Sequence, residues 1–170
     1  MVHHQPVAVY PGSFDPFHAG HVAIVERATQ IFSRVVVGIL ENTGKEALFP
    51  PAERLEMISE LYRGDPHVDV RSFSGLLVKF LDELGSSIII RGMRAVSDFE
   101  YEFQMALMNR RLAPHVETVF LTPKEEYTYL SSRLVREVAA LGGDVTGLVP
   151  EPVRHRLEAR FRKATPPPTR

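Results

Sequence analysis

The sequence predicts a single α/β domain, a five-stranded parallel sheet with helices on both faces. Three observations predict it. Short apolar runs alternate with helix-period patterns along almost all of the 170 residues, as in successive βαβ units. The runs Val35–Leu40 (VVVGIL) and Ile88–Ile90 are apolar without alternation, as strands buried on both faces are. No internal repeat or linker-like stretch divides the chain, and its length suits one domain with a sizeable core. Right-handed crossovers then give a doubly wound, Rossmann-like sheet.

The first strand is Val7–Tyr10. It leads into Tyr10–His21 (YPGSFDPFHAGH), a turn that ends where a helical pattern begins near His21. After the strand Val35–Leu40 comes a polar loop, Glu41–Phe49, and then a helix over Pro51–Tyr62. Pro51 fits a first helical turn, and Leu55, Ile58, Leu61 and Tyr62 share one face. Val68–Ser72 is a weaker strand. Gly75–Leu84 is an amphipathic helix marked by Leu76, Leu77, Phe80, Leu81 and Leu84. The strand Ile88–Ile90 ends at Arg91-Gly92-Met93-Arg94.

A long helix follows over Val96–Leu112, with Asp98 and Glu100 near its positive end. Its stripe of Phe99, Phe103, Ala106 and Leu107 is expected to face the core. Val116–Leu121 is the fifth strand, Ser131–Leu141 a helix closed by Gly142-Gly143, and Pro150–Phe161 the last helix. The domain is expected to span residues 1–163, with 164–170 a disordered, proline-rich tail.

Composition narrows the function. Twenty basic residues against 21 acidic ones leave a formal charge of −1, without the basic excess of a nucleic-acid binder. With no cysteine, a disulfide framework, a thiol nucleophile and a zinc–thiolate site are excluded. No apolar run approaches the ~20 residues of a membrane span. Met1–Pro6 lacks a signal-peptide pattern, and His3 and His4 are too few for a metal site. The expectation is a soluble, cytoplasmic protein without nucleic-acid or membrane partners.

A strand order of 3-2-1-4-5 puts the ligand crevice between strands one and four. The two most chemically loaded turns, Pro11–His21 and Arg91–Arg94, follow those strands. A helix start offers unpaired N–H groups and a positive dipole end, and His18 and His21 sit where both can face one anion. Two other readings of the pair stand beside this: a polar turn facing water, or a zinc site short of a third ligand. Ser13 and the amides around Phe14 can reach a second phosphate. Arg91 and Arg94 suit phosphate through their planar forks, or they pair with Asp98 or Glu102. Glu102 can accept from a ribose hydroxyl or stand solvated. Lys45 is a candidate by its place after strand two, and otherwise plain surface. Ser131 or Ser132 caps its helix, whose start is a second anion site.

The chain has no GxxxxGK(S/T) loop, no GxGxxG in the first βα turn and no nucleophile elbow. Dense phosphate donors without an activated nucleophile imply a substrate that brings its own nucleophile. Catalysis would then be positioning and charge stabilisation. A nucleotide sensor without activity is the alternative from another class.

YPGSFDPFHAGH resembles the (H/T)xGH signature of the nucleotidyltransferase superfamily. The runs IIIRGMRAVSDFEYEFQMALMNRRL, YTYLSSRLVREVA and GGDV, in order and spacing, resemble the bacterial phosphopantetheine adenylyltransferase family from about Val7 to Val153. The resemblance implies AMP transfer from ATP to 4′-phosphopantetheine, giving 3′-dephospho-CoA and pyrophosphate with Mg²⁺. Sister transferases of the superfamily use nicotinate mononucleotide or glycerol phosphate, or CTP in place of ATP.

By the same resemblance His21 stabilises the transition state and binds ATP, with His18 and Lys45 as further catalytic groups. Ser13, Phe14, Gly92, Met93, Arg94 and Glu102 would hold ATP, as would Tyr127, Thr128, Tyr129, Leu130, Ser131, Ser132 and Arg133. Ser13, Lys45, Leu77 and Arg91 would contact phosphopantetheine. Mg²⁺ would be held by the ATP phosphates, with no protein metal site. The resemblance also implies a homohexamer and feedback inhibition by coenzyme A. Arg133 departs from the pattern, standing where the family has a third serine.

Overall fold

The computed structural model describes residues 7–41 and 47–162. Lys45 and the predicted tail 164–170 lie outside the described residues. In chain order the elements are β1 Val7–Gly12, α1 Ala19–Thr29, β2 Arg34–Leu40, α2 Pro51–Leu61, β3 Val68–Phe73 and α3 Leu77–Leu84. They continue with β4 Ile88–Gly92, α4 Val96–Leu112, β5 Glu117–Leu121, α5 Ser132–Ala140 and α6 Glu151–Arg162. A single 3-10 turn, Glu125–Tyr127, precedes α5.

Every strand pair is parallel and the order is β3-β2-β1-β4-β5, as the sequence predicts. The order reverses between β1 and β4, so a crevice opens at their carboxyl ends. β1 and β4 run two residues past their apolar cores. Gly12 still pairs with Ile39, and Gly92 with Leu121. The loaded turns are therefore held by the ladder up to their first residues.

Side-chain alternation sorts the sheet into two buried layers. Ala8, Tyr10, Val35, Val37 and Ile39 pack against α1, α2, α5 and α6 through Ile24, Met57, Ile58, Val135 and Leu157. Val9, Val36 and Ile89 pack against α3 through Val78, Phe80 and Leu81, and against Ala113 and Val116. On that second face Phe73 and Phe80 stack at 4.5 Å. A Cβ on Gly38 would lie 3.0 Å from the Phe80 ring, so this strand position is left bare. Each fully buried aliphatic side chain stabilises the fold by roughly 1.5–3 kcal/mol.

One expectation fails. Phe99, Phe103 and Leu107 of α4 are 48%, 45% and 50% exposed rather than core. The helix is apolar on a second face as well, through Tyr101, Met105, Met108 and Leu112, and these side chains are exposed too, so the described residues of the chain cover neither face. Among its described side chains only Asn109 is buried, and Glu102 ties the helix to β4. A smaller difference is the start of α3 at Leu77, because Gly75 turns the chain with φ +82°.

Candidate active site

β1 delivers the chain to Gly12, and Ser13–His18 turns it into α1. Phe14 takes φ +48°, uncommon for a residue with a bulky side chain. Its ring covers Gly12, where a Cβ would come within 2.7 Å of it. The same ring meets Tyr10 at 5.3 Å, Phe17 at 5.2 Å and His21 at 5.0 Å, each edge to face. An aromatic cage therefore fixes the plane of the His21 imidazole.

The two histidines form the helix cap themselves. His18 Nδ1 accepts from the Gly20 N–H at 3.1 Å, and His21 Nδ1 accepts from the His18 N–H at 3.1 Å. An Nδ1 that accepts leaves the ring proton on Nε2. Both rings thus offer an Nε2–H donor, stacked with centroids 3.6 Å apart. Burial, helped by the Arg94 charge, lowers His18 to about 4. Burial holds His21 well below the usual imidazole range, reinforced by the repulsion two protonated rings would feel and by the Arg94 charge. They act as neutral hydrogen-bond donors.

This neutrality has a stability consequence. Between the ordinary value of 6.5 and about 4 the unfolded chain takes up protons that native His18 refuses. Stability should be level above 6.5 and fall as pH drops through that window, by on the order of 1.4 kcal/mol per pH unit for each such histidine. Denaturant unfolding from about pH 7 to about pH 4.5, compared with His18→Thr, reads it. The variant should lose part of the slope, and an unchanged slope would contradict the neutral pair.

The facing wall comes from β4 and α4. Arg91 donates from two nitrogens to the two Glu102 carboxylate oxygens at 2.6 and 2.7 Å, and to the Pro11 carbonyl at 3.2 Å. Burial opposes the Arg91 charge, but the Glu102 hydrogen bonds and charge raise its pKa overall. Arg94 holds Asp98 at 3.1 and 3.2 Å and donates to the Leu130 carbonyl at 2.7 Å. The ion-pair reading and the phosphate reading of these arginines are therefore compatible, since each pair fixes its guanidinium beside the crevice.

His18, His21, Arg91 and Arg94 line one cavity of about 320 Å³. Ser13, Phe14, Gly92, Glu102, Ser131 and Ser132 complete it, with Tyr10 and Asp98. At Ser13 and Arg91 it meets a second cavity of about 560 Å³, lined by Leu76, Leu77, Tyr101, Met105 and Met108. A polar, donor-rich chamber thus opens into a largely apolar groove. Such a pair suits a polyphosphate beside a phosphate that carries a long arm.

The remaining sequence-predicted residues, Met93 and Tyr127 to Arg133, are held by local contacts. The Met93 N–H donates to the Leu121 carbonyl. Tyr127 borders a separate cavity against α1, Thr128 Oγ1 donates to the Glu125 carbonyl, and Tyr129 is exposed. Leu130 is buried and presents its carbonyl to Arg94. Arg133 pairs with Glu137 on the surface. Ser131 Oγ accepts the Leu134 N–H as the cap of α5, and Ser132 Oγ donates to the Pro16 carbonyl at 2.8 Å.

Three further residues build the site and went unread in the sequence. Asp15 is buried and accepts the N–H groups of Leu48 and Phe49 at 2.8 and 2.9 Å. Arg136 donates to the Asp15 carbonyl and carboxylate, tying α5 to the turn. Arg54 is buried on α2. Its signal was present: Arg54, Met57, Ile58 and Leu61 share one helical face, so a charge stands at a core position.

Comparison with known proteins agrees with this geometry. A family model described as Cytidylyltransferase-like matches residues 9–138. The phosphopantetheine adenylyltransferase of Clostridium tetani (strain Massachusetts / E88) is 54% identical over 147 residues, 86% of this chain and 92% of the relative. That of Thioalkalivibrio sulfidiphilus (strain HL-EbGR7) is 54% identical over 157 residues, 92% of this chain and 99% of the relative. A solved structure, the lipopolysaccharide core biosynthesis protein from Thermoplasma volcanium GSS1, superposes with a TM-score of 0.53 at 24% identity. It covers 70% of this chain and 98% of that one, a likeness of fold alone. With the imidazole pair and the arginines sharing one crevice, and identity above half along most of its length, the chain belongs to the phosphopantetheine adenylyltransferase family of the cytidylyltransferase-like nucleotidyltransferases.

Proposed function

We propose that this crevice transfers AMP from ATP to 4′-phosphopantetheine, giving 3′-dephospho-CoA and pyrophosphate in coenzyme A synthesis. One observation carries the reading: the imidazole and guanidinium donors of two neighbouring strand tips line a single chamber that continues into the Leu77 groove. The triphosphate lies against His18, His21 and the start of α1. The phosphate of phosphopantetheine sits at Arg91, with its arm along Leu77.

An oxygen of that phosphate attacks the α-phosphorus of ATP in line. The new O–P bond forms as the bond to the β-phosphate bridging oxygen breaks, and pyrophosphate leaves with the electron pair. The attacking phosphate is already an anion, so no general base is required and no covalent enzyme intermediate forms. The His21 Nε2–H and the N-terminal amides of α1 stabilise charge as it gathers on the phosphoryl oxygens. Lys45, outside the described residues, is assigned to the same charge. Mg²⁺ enters with ATP as part of the substrate.

The exposed apolar faces of α4 support self-association, which we read, with the family resemblance, as assembly into a homohexamer. Phe103→Glu should shift the mass measured by light scattering toward smaller species, and an unchanged mass would place the interface elsewhere. Coenzyme A, which contains the product, is a competitive ligand for the same two cavities in this reading. The setting is cytoplasmic. A pyrophosphate-release assay with ATP and phosphopantetheine tests the reaction, with CTP or nicotinate mononucleotide as the alternative substrates. Turnover restricted to an alternative pair would replace the assignment.

A further inference from the structure

Arg54 is 1% exposed, although a guanidinium keeps its charge throughout the working pH range. Burying such a charge costs several kcal/mol unless hydrogen bonds offset it, so its partners identify its purpose. Nε donates to the Phe49 carbonyl at 3.0 Å, while Nη1 donates to the Leu40 carbonyl at 3.3 Å and to the Ser13 carbonyl. Nη2 is buried without a hydrogen-bond partner among the described residues. The carboxylates of Asp15 and Glu41 act in favour of the cation. The three carbonyls belong to the end of β2, the approach to α2 and the turn between β1 and α1. Packing alone does not call for arginine here, since Met57 and Ile58 on the same face are apolar.

The bond to Ser13 reaches the active site. The Ser13–Phe14 peptide is trans, the cis bond being Asp15–Pro16, and in a trans peptide N–H and C=O point in opposite directions. With the Ser13 carbonyl drawn inward to Arg54, the Phe14 N–H is turned away from Arg54, and both residues line the crevice. Among the described residues that N–H donates to no backbone carbonyl. The left-handed φ of Phe14 is costly for an aromatic side chain, and the Arg54 bond on the preceding carbonyl holds the peptide there.

We propose that Arg54 is a positioning residue for the adenylyl transfer: by gripping the Ser13 carbonyl it presents the Phe14 N–H to a phosphate of the bound nucleotide. Asp15 adds a second tie by holding the Leu48 and Phe49 amides, so turn and loop end are fixed as one unit. The inference rests on the reading of the crevice as a nucleotide site.

Arg54→Lys keeps the charge but not the fork that reaches three carbonyls. It should lower kcat/KM for ATP by about 10- to 100-fold and change phosphopantetheine affinity by less than about twofold. In the ¹⁵N-labelled native protein the Phe14 amide resonance should move when ATP is added, and in Arg54→Lys it should move far less. Native kinetics in Arg54→Lys would overturn the inference. If that variant does not fold, the native protein decides: a Phe14 amide that ignores ATP overturns the role, and one that responds supports it. A native protein that makes no dephospho-CoA would overturn the reaction itself, an outcome separate from an unaffected Arg54→Lys.

Discussion

Replacing His21 with alanine is expected to lower kcat by about 10²–10³-fold, the usual effect of deleting one preorganised transition-state donor. The expectation follows from local structure. Capping occupies His21 Nδ1 with the His18 N–H, burial keeps the ring neutral, and the Phe14 and Phe17 rings hold its plane. Its remaining Nε2–H is therefore set before substrate arrives, so its benefit falls on the transition state. The same change removes a cap contact and should cost about 1 kcal/mol of stability, which thermal unfolding measures separately. Steady-state pyrophosphate release gives the rate, and a variant with native kcat would remove His21 from the reaction.

Arg91→Ala is expected to weaken phosphopantetheine binding by about 10- to 100-fold, the equivalent of one lost charge-assisted contact. Affinity for ATP should fall less. Arg91 stands where the two cavities meet, and Glu102 fixes its fork at 2.6 and 2.7 Å. Removing the arginine also leaves the Glu102 carboxylate, 13% exposed, facing an incoming anion. Arg91→Ala with Glu102→Gln should thus recover part of the loss, a non-additivity of neighbours that calorimetric titration can read. Equal losses for both substrates would show that Arg91 does not distinguish them.

Much of this was legible in the sequence because the signals were local. Unalternating apolar runs marked buried strands, and glycine, proline and histidine between Tyr10 and His21 marked an anion-binding helix start. The strand order then placed Arg91 beside that start without coordinates. What escaped depended on long-range partners. Asp15 lies inside the Tyr10–His21 turn, and only the fold brings Leu48, Phe49 and Arg136 to it. Arg54 broke an apolar helical face, but its three carbonyl partners lie 5, 14 and 41 residues away in sequence. The stripe on α4 misled because periodicity shows that a face is apolar and not what covers it. Ser132 lines the crevice, and only the fold shows that its hydroxyl also donates to the Pro16 carbonyl.

A crystal structure of the protein with a non-hydrolysable ATP analogue and 4′-phosphopantetheine tests the shared crevice most directly. The account predicts the triphosphate on the Nε2 atoms of His18 and His21. It places the pantetheine phosphate on Arg91 within reach of the α-phosphorus, and the arm of that substrate beside Leu77. Two ligands in separate cavities, with the reacting phosphates too far apart for in-line attack, would contradict it.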